Sequence, residues 1–249
     1  MKTKTQGLVL KQQNIGEQDK LVTVLTSDFG VVRAFVRGAK NIKSSKSSAT
    51  DILCFSEFSI YESRDKYIID DAQVKEVFFS LRSDVERVAL AQYFCELAST
   101  VCPEGQSAAA QLSLILNGLY LLSKGEKPQE LIKACVELRL LSLSGYMPDL
   151  IMCRECGEYT APLMYFVLKG GKIMCEKCFS NKPQSTAIPL DETLLTALRH
   201  IVFSEDKKVF AFSIPEKSLA QLSYITESYA LGVLEKDLKT LHFYKIIKS

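Results

Sequence analysis

The chain has 249 residues, 47% of them hydrophobic and 24% charged, the make-up of a globular protein that can bury a real core. Its opening MKTKTQGLVL lacks an apolar run of signal-peptide length, and its apolar stretches reach only about 12 residues, short of a bilayer span, so a cytosolic protein is expected. The net charge of +2 excludes general stickiness toward polyanions, and any such contact has to be local.

A local concentration exists. Residues 1–50 hold Lys2, Lys4, Lys11, Lys20, Arg33, Arg37, Lys40, Lys43 and Lys46 against only Glu17, Asp19 and Asp28. The same region reads as β structure. TKTQGLVLK, KLVTVLT, GVVRAFVR, CFSEFSIYES and KYIIDDA are short runs rich in Val, Ile, Thr, Tyr and Phe, broken by Gly, Asp and Ser. Five strands within residues 1–79, with one basic Ser-rich loop (GAKNIKSSKSSATD), predict a small barrel of the OB type. Strand alternation sends Val32, Ala34 and Val36 inward and leaves Arg33, Phe35 and Arg37 on the outer face. Lys40, Lys43 and Lys46 continue this face into the loop, and Lys20 is a further candidate. Cations that track phosphates beside a ring that stacks a base form the layout of a nucleic-acid site.

Residues 80–249 read as helices. SLRSDVERVALAQYFCELASTV carries a stripe of Leu81, Val85, Val88, Gln92 and Cys95, and SAAAQLSLILNGLYLLS is apolar nearly all round. PQELIKACVELRLLSLSG opens on Pro128, stops at Gly145 and stripes through Leu131, Cys135, Leu138 and Leu141. Helix signals resume behind Asp191, an N-cap before ETLLTALRHIVF, and after Pro215 in EKSLAQLSYITESYALGVLEKDLKTL. The expected architecture is therefore α+β and multidomain: a barrel, then a helical bundle at 80–249 interrupted at about 147–182.

The interruption is a cysteine module. Cys153-x2-Cys156 and Cys175-x2-Cys178 place four thiolates in two knuckles, the ligand set of a structural Zn²⁺ ribbon, with an Fe–S cluster as the other option for a four-cysteine set. Gly157 suits the knuckle turn, and Gly170-Gly171 reads as a two-residue hairpin turn. Only His200 and His242 exist in the chain, and neither is near the cysteines in sequence, so a closed structural ion is expected rather than an open catalytic one. Cys54, Cys95, Cys102 and Cys135 sit on apolar stretches as small core residues. Lys169, Lys172 and Lys177 give the ribbon a secondary chance of a DNA or partner contact. No P-loop, G-x-G-x-x-G or nucleophile elbow is present, and no catalytic residues are assigned.

Leu10-Lys11, Gly16-Glu17, Asp19-Lys20-Leu21-Val22-Thr23, Gly30, Arg37-Gly38-Ala39-Lys40, VELRLLSLSGYMPDLIMCRECG and GGKIMCEKC, in that order, resemble the RecO family of bacterial recombination mediators over nearly the whole length. The resemblance implies an N-terminal OB fold, a non-enzymatic protein of the nucleoid-bearing cytoplasm, and binding to single- and double-stranded DNA with annealing of complementary strands. It also implies partners: RecR, with which such proteins load RecA onto DNA coated by the single-stranded-DNA-binding protein SSB, and the acidic, apolar-ended tail of SSB. Arg139 and Arg199 are possible rims of a groove for that tail. The alternatives are a zinc-stapled interaction scaffold without annealing activity, and a metal-dependent nuclease.

Overall fold

The computed structural model describes residues 2–41, 44–63, 66–181 and 186–248. The Lys43 expectation lies outside the described residues. The chain divides into two compact units, 1–126 with 238–249, and 127–237.

In the first unit, β1 (Lys2–Ile15), β2 (Asp19–Thr26), β3 (Gly30–Val36), β4 (Cys54–Ser63) and β5 (Lys66–Val77) close into a barrel of order β1-β2-β3-β5-β4. β1 serves two partners: residues Lys2–Leu8 pair with β4, and Gly7–Ile15 pair with β2 across a bulge between Val9 and Lys11. β3 and β5 close the barrel in parallel through Ala34–Val36. This is the OB-type topology expected. The interior is aliphatic, with Val9, Val22, Val24, Val32, Ala34, Val36, Phe58 and Ile69 all buried. Part of the Ser-rich segment, from Ser44 on, is helical. Ser44 accepts a hydrogen bond from the Lys46 N–H and starts a short helix, α1 (Ser45–Ala49), whose Ala49 seats in the barrel core.

Helix α2 (Val85–Val101) starts later than the sequence stripe suggests, because the Asp84 carboxylate accepts from the N–H groups of Glu86 and Arg87. Val85 thus falls in the first turn, outside the packing, and is 62% exposed. The buried side instead holds Ala89, Leu90, Tyr93, Phe94, Leu97 and Ala98. α3 (Ala109–Lys124) keeps a wet edge at Tyr120 and is not buried all round. Both helices pack on β1 and β2. The C-terminal segment also differs. Glu235 takes a left-handed conformation (φ 47°), so α7 (Glu216–Leu234) ends there, and a separate α8 (Lys239–Lys248) lies along α2. Glu96 accepts from the Thr240 N–H at 2.8 Å and so caps α8.

The unit boundary follows this packing. Helices α2, α3 and α8 belong with the barrel, whereas the change in residue pattern falls near residue 79. Gly30 ties barrel to helices inside this unit, since the Val31 N–H donates to Pro103 O at 2.8 Å beside it. Gly30 has φ +67°, and a Cβ there would lie 2.0 Å from the Pro103 oxygen. Gly30→Ala is expected to cost more than about 2 kcal/mol, read as a lowered unfolding midpoint.

The second unit is built on α4 (Gln129–Leu143), buried along nearly its whole length, against α6 (Glu192–Phe203) and α7. Asp191 caps α6 as expected, accepting from the Leu194 N–H at 2.8 Å. Between α4 and α7 lies an enclosed ionic group. Lys133 Nζ is 2.8 Å from Glu137 Oε1 and 3.0 Å from Glu227 Oε2, and Thr226 donates to Glu137 Oε2 at 2.6 Å. Burial works against the Lys133 charge, but the attraction of the two carboxylates overrides it and raises its pKa above the ordinary lysine value.

The insertion forms a sheet of order β7-β6-β8 from β6 (Met164–Val167), β7 (Lys172–Cys175) and β8 (Ala187–Leu190). Val167 pairs with Lys172, so the turn has four residues, Leu168 to Gly171, not the two expected. The third strand was not apparent in the sequence, because Pro189 weakens its pattern; as an edge strand it tolerates the missing N–H.

Candidate nucleic-acid interface and metal centre

The four cysteines meet. Their sulfurs all lie within 4.8 Å of one another, and Cys156 Sγ is 3.7 Å from Cys175 Sγ. A tetrahedral zinc–thiolate centre needs edges of about 3.8 Å, from bonds of ~2.3 Å, so the donor set fits that ion in type, number and spacing. The first knuckle is shaped by the Gly157 N–H donating to Cys153 O at 2.9 Å, with Gly157 at φ 78°. The second runs from the end of β7 into α5 (Glu176–Asn181), which carries Cys178. Burial opposes ionisation of Cys153, but hydrogen bonds from the Cys175, Cys156 and Glu155 backbones outweigh it and bring the thiol down to about 6. Hydrogen bonding with Cys156 and Cys175 pushes Cys178 up to about 12. One thiolate therefore forms easily and the last with difficulty, until a cation neutralises the set. Lys169 and Lys177 are exposed near this ribbon and Lys172 is half-buried.

On the barrel, the outer side of β3 presents Arg33 and Arg37 exposed with Phe35 half-buried between them. Cross-strand register extends this face. Thr23 stands opposite Arg33 and Leu21 opposite Phe35, with Lys11 and Gln13 of β1 next in line. On the other side, Phe35 pairs with Ile68, and Lys66 Nζ lies 5.5 Å from the Phe35 ring centre. Two open depressions flank the strip. One, of about 330 Å³, is lined by Lys11, Gln13, Thr23, Arg33 and Glu104. The other, of about 660 Å³, is lined by Asp19, Phe35, Arg37, Ser63 and Lys66.

The remaining cations are spoken for. Lys2 pairs with Asp70, Lys4 and Lys75 with Glu57. Lys20 follows the inward phase of Val22 and Val24, is 7% exposed, and meets Asp51 at 2.9 Å beside the Ser47 carbonyl. It is placed to anchor α1, not to meet a phosphate. Lys40 donates to Gly16 O at 2.8 Å at the margin of the face, and Lys46 sits on α1 near Asp70. Among the described residues, Arg33 and Arg37 form no ion pair. Lys11 and Lys66 are the residues that sequence reasoning missed. The β1 bulge breaks alternation before Lys11, and the parallel β3–β5 pairing that brings Lys66 to Phe35 leaves no local trace.

The second unit adds an open, mainly apolar groove of about 1140 Å³, framed by α6 and the chain around the first knuckle and lined by Ile151, Tyr159, Leu195, Phe203 and Arg199, with the Glu192 carboxylate also in its lining. Of the two expected rim arginines, Arg139 turns inward to the Ser204 carbonyl and to Asp206 at 2.6 Å. Arg199 stands in the groove wall. Its guanidinium lies 4.0 Å from the Tyr159 ring centre.

Comparison with known proteins agrees with this layout. The family described as Recombination protein O N terminal matches residues 1–78, and Recombination protein O C terminal matches residues 82–242. The chain is 34% identical to DNA repair protein RecO of Acetivibrio thermocellus, over 98% of this chain and 96% of that one. It is 33% identical to the RecO of Caldicellulosiruptor bescii over 98% of both chains, and 31% to that of Desulforamulus reducens over 96% and 93%. With a five-stranded barrel, helices and a four-cysteine ribbon in this order, and both family segments matched, the chain belongs to the RecO family of DNA repair and recombination proteins.

Proposed function

We propose that this protein is a non-enzymatic recombination mediator that binds single- and double-stranded DNA through the outer face of β3, anneals complementary strands and, with RecR, helps RecA onto SSB-coated DNA. The observation that carries the reading is selective neutralisation: Lys2, Lys4, Lys20 and Lys75 of the barrel are paired, while Arg33 and Arg37 meet no carboxylate among the described residues. Charges left unpaired on an otherwise near-neutral protein exchange small counterions for phosphates. Lys11 and Lys66 extend the track on both sides, and Phe35 offers a ring to a base once Lys66 turns toward a phosphate. Holding two strands on one cationic face screens their repulsion, which speeds annealing without any bond being made or broken. Annealing by the purified protein alone, followed by FRET between labelled complementary strands, tests this; a scaffold without intrinsic activity leaves the rate at its spontaneous value.

The SSB tail belongs to the groove beside Arg199. An acidic peptide with apolar end residues matches an apolar trough whose wall carries a guanidinium that, among the described residues, donates to backbone carbonyls and forms no ion pair. Zn²⁺ would be held by Cys153, Cys156, Cys175 and Cys178 and, with all four positions taken by sulfur, would supply structure and no open site for chemistry. Cys153→Ser is expected to abolish stoichiometric zinc, measured by metal analysis, and to lower the melting temperature, while DNA affinity of the folded protein stays unchanged.

A further inference from the structure

We infer that the four-cysteine centre and the apolar groove are one linked device, in which ion binding sets the groove's wall and so its affinity for an acidic, apolar-ended peptide. The inference rests on reading the groove as a peptide site, and it concerns how that site is controlled.

Arg199 is the joint. Its Nε donates to Leu150 O at 2.8 Å, and its Nη2 donates to Ile151 O at 2.7 Å and Tyr159 O at 2.6 Å. Leu150 and Ile151 lead into the Cys153–Cys156 knuckle, and Tyr159 leads out of it. One side chain of α6 therefore fastens both legs of the metal knuckle, while its guanidinium carbon stands 4.0 Å from the Tyr159 ring centre. Ile151 and Tyr159 are at the same time walls of the groove, and both are about half exposed, at 50% and 58%. The Nη1 group is left without a partner among the described residues, so the guanidinium can still meet a carboxylate.

The rest of the knuckle's support is backbone hydrogen bonding and one exposed ion pair, Arg154 with Asp149. Besides the sulfurs, its backbone is tied by Cys153 N–H to Glu158 O at 2.8 Å, Gly157 N–H to Cys153 O, and Arg154 N–H to Ile173 O at 3.0 Å. Removing the ion takes away the one centre shared by the four sulfurs, which stands between two legs that must stay in register for Arg199 to bridge them. When the legs part, both the cation and the apolar wall lose their places. Conversely, a peptide that grips Arg199 and Tyr159 holds the legs in the metal-ready spacing. Linkage requires the two effects to be equal in size.

The test uses the full-length protein and a fluorescent peptide of the organism's own SSB C-terminal tail, with anisotropy as the readout. Metal-loaded protein is expected to bind, chelated protein about tenfold more weakly, and zinc re-addition to restore affinity. In the reciprocal arm, saturating peptide is expected to raise zinc affinity, measured by chelator competition, by the same factor. Arg199→Lys keeps the charge but removes the fork; it is expected to bind less tightly and to respond no longer to zinc. If loaded protein binds no peptide, the groove reading itself falls. If it binds equally with and without zinc, or if zinc affinity is blind to the peptide, the peptide site stands and the linkage is overturned. Circular dichroism of the chelated protein separates loss of the groove wall from loss of the fold: weaker binding by a chelated protein that has lost its helices overturns the linkage as stated.

Discussion

Arg33→Glu combined with Arg37→Glu is expected to weaken single-stranded DNA binding at least about 100-fold near 0.1 M salt, because two phosphate contacts become two repulsions. The wild-type protein, using Lys11, Arg33, Arg37 and Lys66, should lose affinity with a log–log salt slope of about −2.8. The variant's slope should be shallower by about 1.4, since each single-strand contact carries ~0.7. Both arginines are exposed and form no ion pair among the described residues, so the unfolding midpoint should stay where it was. Fluorescence anisotropy across four salt concentrations gives affinity and slope together. A folded variant that binds and anneals like the wild type removes the β3 face from the mechanism. Lys20→Glu is a useful contrast: it places a carboxylate in the enclosed Lys20 position against Asp51 and should first lower stability.

The second large effect lies far from any surface. Glu137 is fully buried, and its loss leaves the Lys133 charge with the partly exposed Glu227 and the neutral oxygens of Ser223. Glu137→Ala should destabilise the folded protein by about 3–5 kcal/mol, the range for stripping one partner from a buried ion pair. Replacing both residues, Lys133→Met with Glu137→Leu, should return most of that, because neither charge then has to be desolvated. Urea unfolding followed by circular dichroism measures both. Equal destabilisation by the single and double variants would mean that shape rather than charge is at stake. Among the described residues this is the most enclosed ion pair, with both side chains at 2% exposure or less.

Much of this was legible in the residues. Val32, Ala34 and Val36 alternate with Arg33, Phe35 and Arg37, and a period of two can only mean an inner and an outer face. The Cys-x2-Cys pairs found one another because few other arrangements use that spacing. Asp191 and Gly145 marked helix ends by local chemistry alone. What sequence reading misplaced was set by distant partners or by a single cap. Asp84 moved the start of α2 and with it the stripe. Lys20 shares the phase of Val22 and Val24 and so lies inside, a placement that its charge hides in the sequence. Lys66 could not be found without the parallel pairing of β3 with β5.

The return of α8 to α2 has a temporal meaning. Leu241 and Tyr244, both buried, complete an apolar seam on a helix that ends at Val101, yet they are made only after all of 127–237. During synthesis, the barrel and its helices must therefore wait with that seam uncovered while the other unit emerges and can already assemble. Closing so long an excursion adds only about 0.6 kcal/mol per doubling of its length, so the delay costs little stability. It does leave the nascent first unit exposed to chaperones, and to mispairing with other chains, for longer than any other part of the molecule.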